Sequence, residues 1–268
     1  MNDQSPRLGK FRTQFLAWIQ LRQKSQVETG EVAAALGLSA KQERELLSRM
    51  ARQGLIVRLR RGLYMVPPRI PPGGKWSPGE YKLVDTLMAD ANATYQLGGP
   101  IAFHQYGFDQ QVPNSITVYN NKISGQRVIG GTHFAFIKVP LKRLGGHECR
   151  KLPGGGEIIM ASMPRTLFDA VYDWDRYNTL PRAYRWISAK KDDHKTIKEL
   201  VRLALKHGNV GTTRRLGYVL NKLKVSRRIT NKLHAALPKS SSLVPLVPTK
   251  QSRGLIDRNW GIIDNDND

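Results

Sequence analysis

Glu80-Tyr81-Lys82 has the acid-x-lysine spacing found in many metal-dependent nucleases. That chemistry needs the pair on a strand beside a second acid that helps to hold the metal. Here the pair falls at a helix start, where Ser77 reads as N-cap, Pro78 as first-turn proline and Glu80 as the capping-box acid. Gly73-Gly74-Lys75 resembles the end of a phosphate loop, but Trp76 stands where Ser or Thr is needed and the upstream glycine is missing. The six histidines lie far apart, with no pair at helical ligand spacing. His147-Glu148-Cys149 reads as a surface loop whose neighbouring side chains diverge rather than converge on a metal. His104 reads as half-buried packing. Ser162 lacks the glycines of a nucleophile elbow. Asp169, Asp173 and Asp175 precede a basic segment that can neutralise them. The expectation is a chain that is not an enzyme and carries neither metal nor cofactor.

The remaining chemistry is charge. The 268 residues carry 43 Lys/Arg against 21 Asp/Glu, a formal net charge of +22 that calls for a polyanionic partner. It is unevenly placed. Residues 1–75 hold 14 basic and 5 acidic residues, residues 76–175 hold 9 of each, and residues 176–258 hold 20 against 4. A ribosomal or histone-like binder is basic throughout. Two basic blocks around a neutral one predict separate phosphate-facing surfaces with a core between them. One cysteine, Cys149, excludes a disulfide framework. The first residues lack the apolar run of a signal peptide and no window has the length of a membrane span, so the expected setting is cytoplasmic, with no membrane partner.

The cations need elements to position them, and the first basic block spells these out. Phe11, Phe15, Leu16 and Ile19 share a helical face. Gln26–Glu28 is a stub of strand. A short helix follows over residues 29–36 with Thr29 as N-cap, and Gly37-Leu38-Ser39 makes a tight turn. Ser39 and Gln42 form a capping box for a helix that Gly54 stops, with Leu46, Leu47 and Met50 inward. Its outward stripe, Lys41, Arg44, Ser48 and Arg52 with Arg49 on the flank, suits a major groove. The period then changes to that of strands, giving a hairpin with Arg58, Arg60 and Arg61 at a basic tip. This is the order of a winged helix-turn-helix over residues 1–66, and its partner is double-stranded DNA.

Residues 67–75 read as a Pro/Gly-rich linker. The expected fold class is α+β, with residues 76–268 forming a second domain. Within it, residues 76–175 make a mixed α/β core. Its strands fall near Tyr95–Leu97, Ser115–Asn120, Phe134–Val139 and Glu157–Ala161, with glycine turns such as Gly154-Gly155-Gly156 between them. Residues 176–238 form a basic helical segment, starting with Asp193 as a helix cap and a stop at Gly208. A second helix begins at Thr212 or Thr213 and a third spans 227–237. Arg214, Arg215, Lys222, Lys224, Arg227, Arg228 and Lys232 are expected on exposed faces as a nucleic-acid or partner surface. Residues 239–268 form an extended tail whose Leu255-Ile256 and Trp260–Ile263 return to cover the core, with a frayed acidic end.

In order, the strings RRGLYMVP, YQLGGPIAFHQYGFDQQVP, ASMPRTLFDA, RRLGYVL and RNWGI resemble the AbiEi antitoxin family of type IV toxin–antitoxin, or abortive-infection, systems. Pro164 departs from the pattern, which has an acid before Arg-Thr-Leu; proline suits a first helical turn equally well. The resemblance implies an autorepressor that binds inverted repeats in its own promoter, as cooperative monomers or a weak dimer. It also implies that the C-terminal region counters a nucleotidyltransferase-like toxin without a stable complex. The residues alone leave two alternatives open. One is an orphan transcription factor without a toxin; the other is an RNA- or protein-interaction module working through the C-terminal basic patch.

Overall fold

The computed structural model describes residues 5–69, 75–151 and 157–266. Residues 70–74 of the expected linker, the Gly154–Gly156 turn and the last two residues of the acidic end lie outside them. The chain divides into two compact units, residues 1–93 with 125–135, and residues 94–124 with 136–268. The expected boundary at 67–75 is therefore corrected. The first unit continues past the Pro/Gly stretch, and a later segment joins it.

The first unit begins with helix α1 (Ser5–Leu21), strand β1 (Gln26–Glu28), α2 (Glu31–Leu36) and α3 (Ala40–Arg52). Strands β2 (Val57–Arg60) and β3 (Leu63–Met65) and helix α4 (Glu80–Asp90) follow. Phe15, Ile19, Val32, Leu46, Leu47, Met50 and Ile56 close one core among the first three helices and the strands. β3 is the middle strand, antiparallel to both β1 and β2. The Ser39 box is formed: its hydroxyl accepts from the Gln42 amide at 3.3 Å, and its amide donates to the Gln42 side chain at 2.9 Å.

Two helix starts differ from expectation. α2 is preceded by Gly30 rather than capped by Thr29, and its N–H groups are served by a side chain from α3, described below. α4 starts after Gly79, and neither Ser77 nor any other side chain caps it. The backbone explains why 75–93 stays with this unit, since the Trp76 amide donates to the Gly54 carbonyl at 2.8 Å. Gly130 explains 125–135: a Cβ there would stand 3.2 Å from Val57 and 3.3 Å from Leu83.

The second unit starts with β4 (Tyr95–Leu97), α5 (Pro100–Gln105) and β5 (Ile116–Asn120). β6 (Gly125–Ile129) and β7 (Thr132–Lys138) form a hairpin, and the division between units passes through β7. β8 (His147–Lys151) and β9 (Glu157–Ala161) complete the sheet order β6-β7-β5-β4-β9-β8. β4 is antiparallel to β5 and parallel to β9. β8 is a correction, because His147-Glu148-Cys149, expected as a surface loop, lies in this strand.

Helices α6 (Met163–Tyr172), α7 (Trp174–Tyr177), α8 (Arg182–Ser188), α9 (His194–His207), α10 (Val210–Lys222) and α11 (Arg227–Ala235) follow. Ser162 caps α6 and Asp193 caps α9; α10 is capped by Asn209, earlier than the threonines predicted. Phe168, Ile187, Leu200, Leu216, Leu220 and Trp260 belong to the helical core. The tail folds into a small sheet, β10 (Val244–Pro245), β11 (Leu255–Asp257) and β12 (Ile262–Asp264), with β12 in the middle. Trp260 and Ile262 return to the core as expected, but Leu255 and Ile256 do not; they are 80% and 56% exposed.

Candidate nucleic-acid interface

α3 is set by its buried side. Leu46, Leu47 and Met50 fix the helix in the core, and Glu43 on the same side is fully buried. The Glu43 carboxylate accepts from the Gly30 amide at 2.8 and 2.9 Å and from the Ala33 amide at 2.9 Å. It therefore neutralises the open N–H groups at the start of α2, where negative charge is favoured, and couples the two helices across the Gly37 turn. Glu43 is not among the residues singled out by the sequence. The available signal was an acid among inward positions of an otherwise apolar stripe.

With the inner face fixed, Lys41, Arg44, Ser48, Arg49 and Arg52 are all exposed. Lys41, Arg44, Ser48 and Arg52 recur at helical spacing along one face. Arg44 folds back to donate from Nε to the Ala40 carbonyl at 3.1 Å. The four cations make no ion pair among the described residues. Such a face can donate to base edges and phosphates together.

The hairpin tip is arranged differently from expectation. The register between β2 and β3 shifts between Arg58 and Arg60, which marks a bulge, and Gly62 takes a φ of 85° that suits glycine. Arg58 and Arg61 are exposed. Arg60 is held by Asp90 at the end of α4, with Nε and Nη2 each 2.6 Å from a carboxylate oxygen, and Glu28 stands 3.6 Å away. The hydrogen bond from Arg60 keeps the Asp90 carboxyl below its ordinary range. Arg60 thus spends its fork on a carboxylate, whereas Arg58 and Arg61 make no ion pair among the described residues; Arg58 donates from Nε to the Arg60 carbonyl at 3.4 Å. A cavity of about 490 Å³ in this unit lies among Ser48, Arg52, Arg58, Tyr64 and Trp76.

The C-terminal cations divide. Lys222, Lys224, Arg227, Arg228 and Lys232 are exposed, and Lys222 reaches Asp264 at 3.0 Å. Arg214 and Arg215 are corrected: they are 3% and 7% exposed. Arg214 donates to the Ser242 carbonyl, and Arg215 donates from Nε to the Pro245 carbonyl at 3.1 Å. Both guanidiniums hold the incoming tail in place of carboxylates, which a charge count cannot foresee.

The acids of the middle block are likewise structural. Arg165, 1% exposed, donates to Asp169 at 2.8 Å and to the carbonyls of Gly145 and Arg143 at 2.7 Å each. Arg143 bridges Asp169 and Asp173 at 3.1 Å to each. Burial and the neighbouring Asp169 push the Asp173 carboxyl up. Asp169 and Asp173 are thus paired with arginines of their own block, and Arg176 of the basic segment adds to the field at Asp173. Glu148 accepts from the Tyr106 hydroxyl at 3.0 Å, and Cys149 is exposed. Among the described residues no three His, Cys, Asp or Glu side chains gather as a metal site, and no helix is long and apolar enough to cross a membrane.

Residues 16–67 match the model of a family described as "Transcriptional regulator, AbiEi antitoxin". The match runs from Leu16, within α1, through the β2–β3 hairpin; of the strings that carry the resemblance it contains RRGLYMVP, and it names the same family. It supports a regulator and antitoxin role in general terms. The chain is also similar in fold to the crystal structure of RV2827C protein from Mycobacterium tuberculosis. The TM-score is 0.58 at 16% identity, covering 96% of this chain and 92% of that one. No curated protein matches.

Proposed function

We propose that this chain is a non-enzymatic repressor of its own promoter and the antitoxin of an AbiE-type, type IV toxin–antitoxin pair. In this reading α2 and α3 are a helix-turn-helix, β2–β3 is its wing, and α3 is the recognition helix in the major groove of duplex DNA. The observation that carries it is the exposed stripe Lys41, Arg44, Ser48 and Arg52 on a helix whose opposite side is locked by core residues and Glu43. Arg49, Arg58 and Arg61 contact the phosphates on either side. One such unit per chain covers half of an inverted repeat, so two chains bind together as cooperative monomers or a weak dimer. The second unit counters a nucleotidyltransferase-like toxin without a lasting complex. The cell compartment is the cytoplasm.

A gel-shift on the protein's own promoter tests the reading. Arg44→Ala/Arg52→Ala should lose the preference for promoter over random duplex, each lost base contact being worth about 1–3 kcal/mol of discrimination. An unchanged preference in that variant would refute the assignment of α3. The orphan-regulator alternative is decided by the neighbouring gene and by co-expression: rescue of growth from an adjacent nucleotidyltransferase-like product supports the antitoxin role.

A further inference from the structure

A groove of about 1600 Å³ crosses the second unit. It is lined by the first turns of three helices, α6 at residues 162–164, α9 at 193–196 and α11 at 226–229, and by strand β8. Three carboxylates reach it and each is occupied. Asp193 accepts from Thr196 at the α9 cap, Glu148 takes Tyr106 and Arg150, and Glu199 takes Arg202. Lys195, Lys198, Arg228 and Lys232 line the same groove, are exposed, and make no ion pair among the described residues. The lining is therefore cationic, and the start of α11, which has no side-chain cap, adds to the same sign.

Part of the lining is apolar. Met163, Pro164, Val201, Leu205 and Ile229 stand in it beside Ser162, His147 and His194, and Leu205 is 42% exposed although α9 has a well-buried face elsewhere. A duplex presents phosphates and groove edges but keeps its base faces stacked inside, so it would leave these apolar side chains unused. A single strand offers phosphates and base faces together. Lys195 and Lys198 stand one helical turn apart, as do Arg228 and Lys232, and such pairs place their Cβ atoms about 5–6 Å from each other. That repeat is of the order of the phosphate spacing along an extended strand.

We propose that this groove binds single-stranded nucleic acid, with phosphates on Lys195, Lys198, Arg228 and Lys232 and base faces on Met163, Leu205 and Ile229. The surface differs from the operator-reading face of α3 and does not depend on it. It uses Arg228 and Lys232 of the expected C-terminal patch, but places them beside α9 cations rather than beside Arg214 and Arg215.

Fluorescence anisotropy on the full chain tests it, with labelled oligo(dT), oligo(U), a random-sequence duplex and the promoter duplex as probes. Lys195→Glu/Lys198→Glu and Arg228→Glu/Lys232→Glu should each weaken the single-stranded probes about tenfold or more. The salt dependence of their binding should flatten by about 0.7 per lost phosphate contact. Promoter binding should stay within about twofold. Leu205→Asp should weaken single strands without touching promoter binding, and milder Lys→Gln changes at 195 and 198 guard against misfolding. Arg44→Ala/Arg52→Ala should show the reverse pattern, so a failure of the operator reading is distinguishable from a failure here. The ratio of oligo(U) to oligo(dT) affinity separates RNA from DNA as the source. Three results would overturn the proposal: no binding of either oligonucleotide, binding indifferent to the groove variants, or a parallel loss with duplex. The first leaves an acidic protein segment as the occupant.

Discussion

Arg60 and Asp90 form a two-pronged ion pair, Nε to Oδ2 and Nη2 to Oδ1, each at 2.6 Å. The pair ties the hairpin tip to the end of α4 and takes one of three tip arginines out of the pool of free cations. Asp90→Ala should release it. The expected result is tighter binding to random duplex, with the salt slope steeper by about 0.9 for one added phosphate contact. The pair is largely exposed, so stability should change by only about 0–1 kcal/mol. Because Arg60 depresses the Asp90 pKa, the clamp's contribution is fully present above about pH 4 and is lost only as pH falls through the folded value. An unchanged salt slope in Asp90→Ala would show that Arg60 does not reach phosphate even when free.

Glu43 makes a second prediction, about coupling between the helices. Its carboxylate is fully buried and serves the amides of Gly30 and Ala33. Glu43→Ala leaves those donors without their acceptor, at a cost of about 1–3 kcal/mol for each group left buried. On the proposed function, operator binding should weaken although Glu43 faces away from solvent. Hydrogen exchange should speed up at Gly30 and Ala33 before it does in α1. Equal acceleration throughout the unit would mean that Glu43 acts only on global stability.

What was legible in the sequence is what local chemistry encodes. The Ser39–Gln42 box, the Asp193 and Ser162 caps and the outward stripe on α3 depend on residues a few positions apart. The Ser39 box, the Asp193 cap and that stripe are legible in the sequence, whereas the cap at Ser162 is not. Asp90, thirty residues from Arg60, and Ser242, twenty-eight residues from Arg214, depend on tertiary contacts that no window of the chain contains. The same limit hid the true extent of the first unit. Pro67 to Gly74 reads as a boundary by composition, but Trp76 donates to the Gly54 carbonyl and Gly130 lies against Val57, contacts that no local window shows.

Arg214 supplies a prediction that reverses the one its charge invites. As an exposed phosphate contact, its loss would flatten the salt dependence of binding. Buried against the carbonyl of Ser242, it should do no such thing. Arg214→Ala should instead lower the melting temperature of the second unit, with about 1–3 kcal/mol lost for acceptors left unpaired. The salt slope on duplex DNA should stay as it was. A flattened slope with unchanged melting would restore a surface role.

His207 gives the molecule a pH dependence. Its Nδ1 lies 2.8 Å from the Lys142 carbonyl, while its buried Nε2 has no hydrogen-bond partner among the described residues. Burial, with Arg165 nearby, holds the imidazole pKa below the ordinary value. An unfolded chain takes up the proton below about pH 6.5 and the folded chain does not. Stability is therefore fully present above that value and is lost as pH falls toward the folded pKa. Melting curves at about pH 7.5 and 5.5 should show a larger drop for the wild type than for His207→Gln, which cannot titrate. Equal drops in the two proteins would assign the effect to other groups.

The strings that carry the family resemblance meet one another in the core. Gly217 of RRLGYVL faces Trp260 of RNWGI so closely that a Cβ at position 217 would lie 2.0 Å from the indole. The tail is thus held by shape as well as by Arg214 and Arg215. Gly217→Ala should cost about 1–3 kcal/mol or more by overpacking, and Trp260→Ala about 3–5 kcal/mol by leaving a cavity. The two changes should not add, because removing the indole relieves the clash that the new methyl creates. A double-mutant cycle read by thermal melting checks this. A double variant more stable than the sum of its single losses is expected; strict additivity would mean that the tail docks independently of α10. The DNA binding proposed for α3 should survive all three variants, which confines the effect to the second unit.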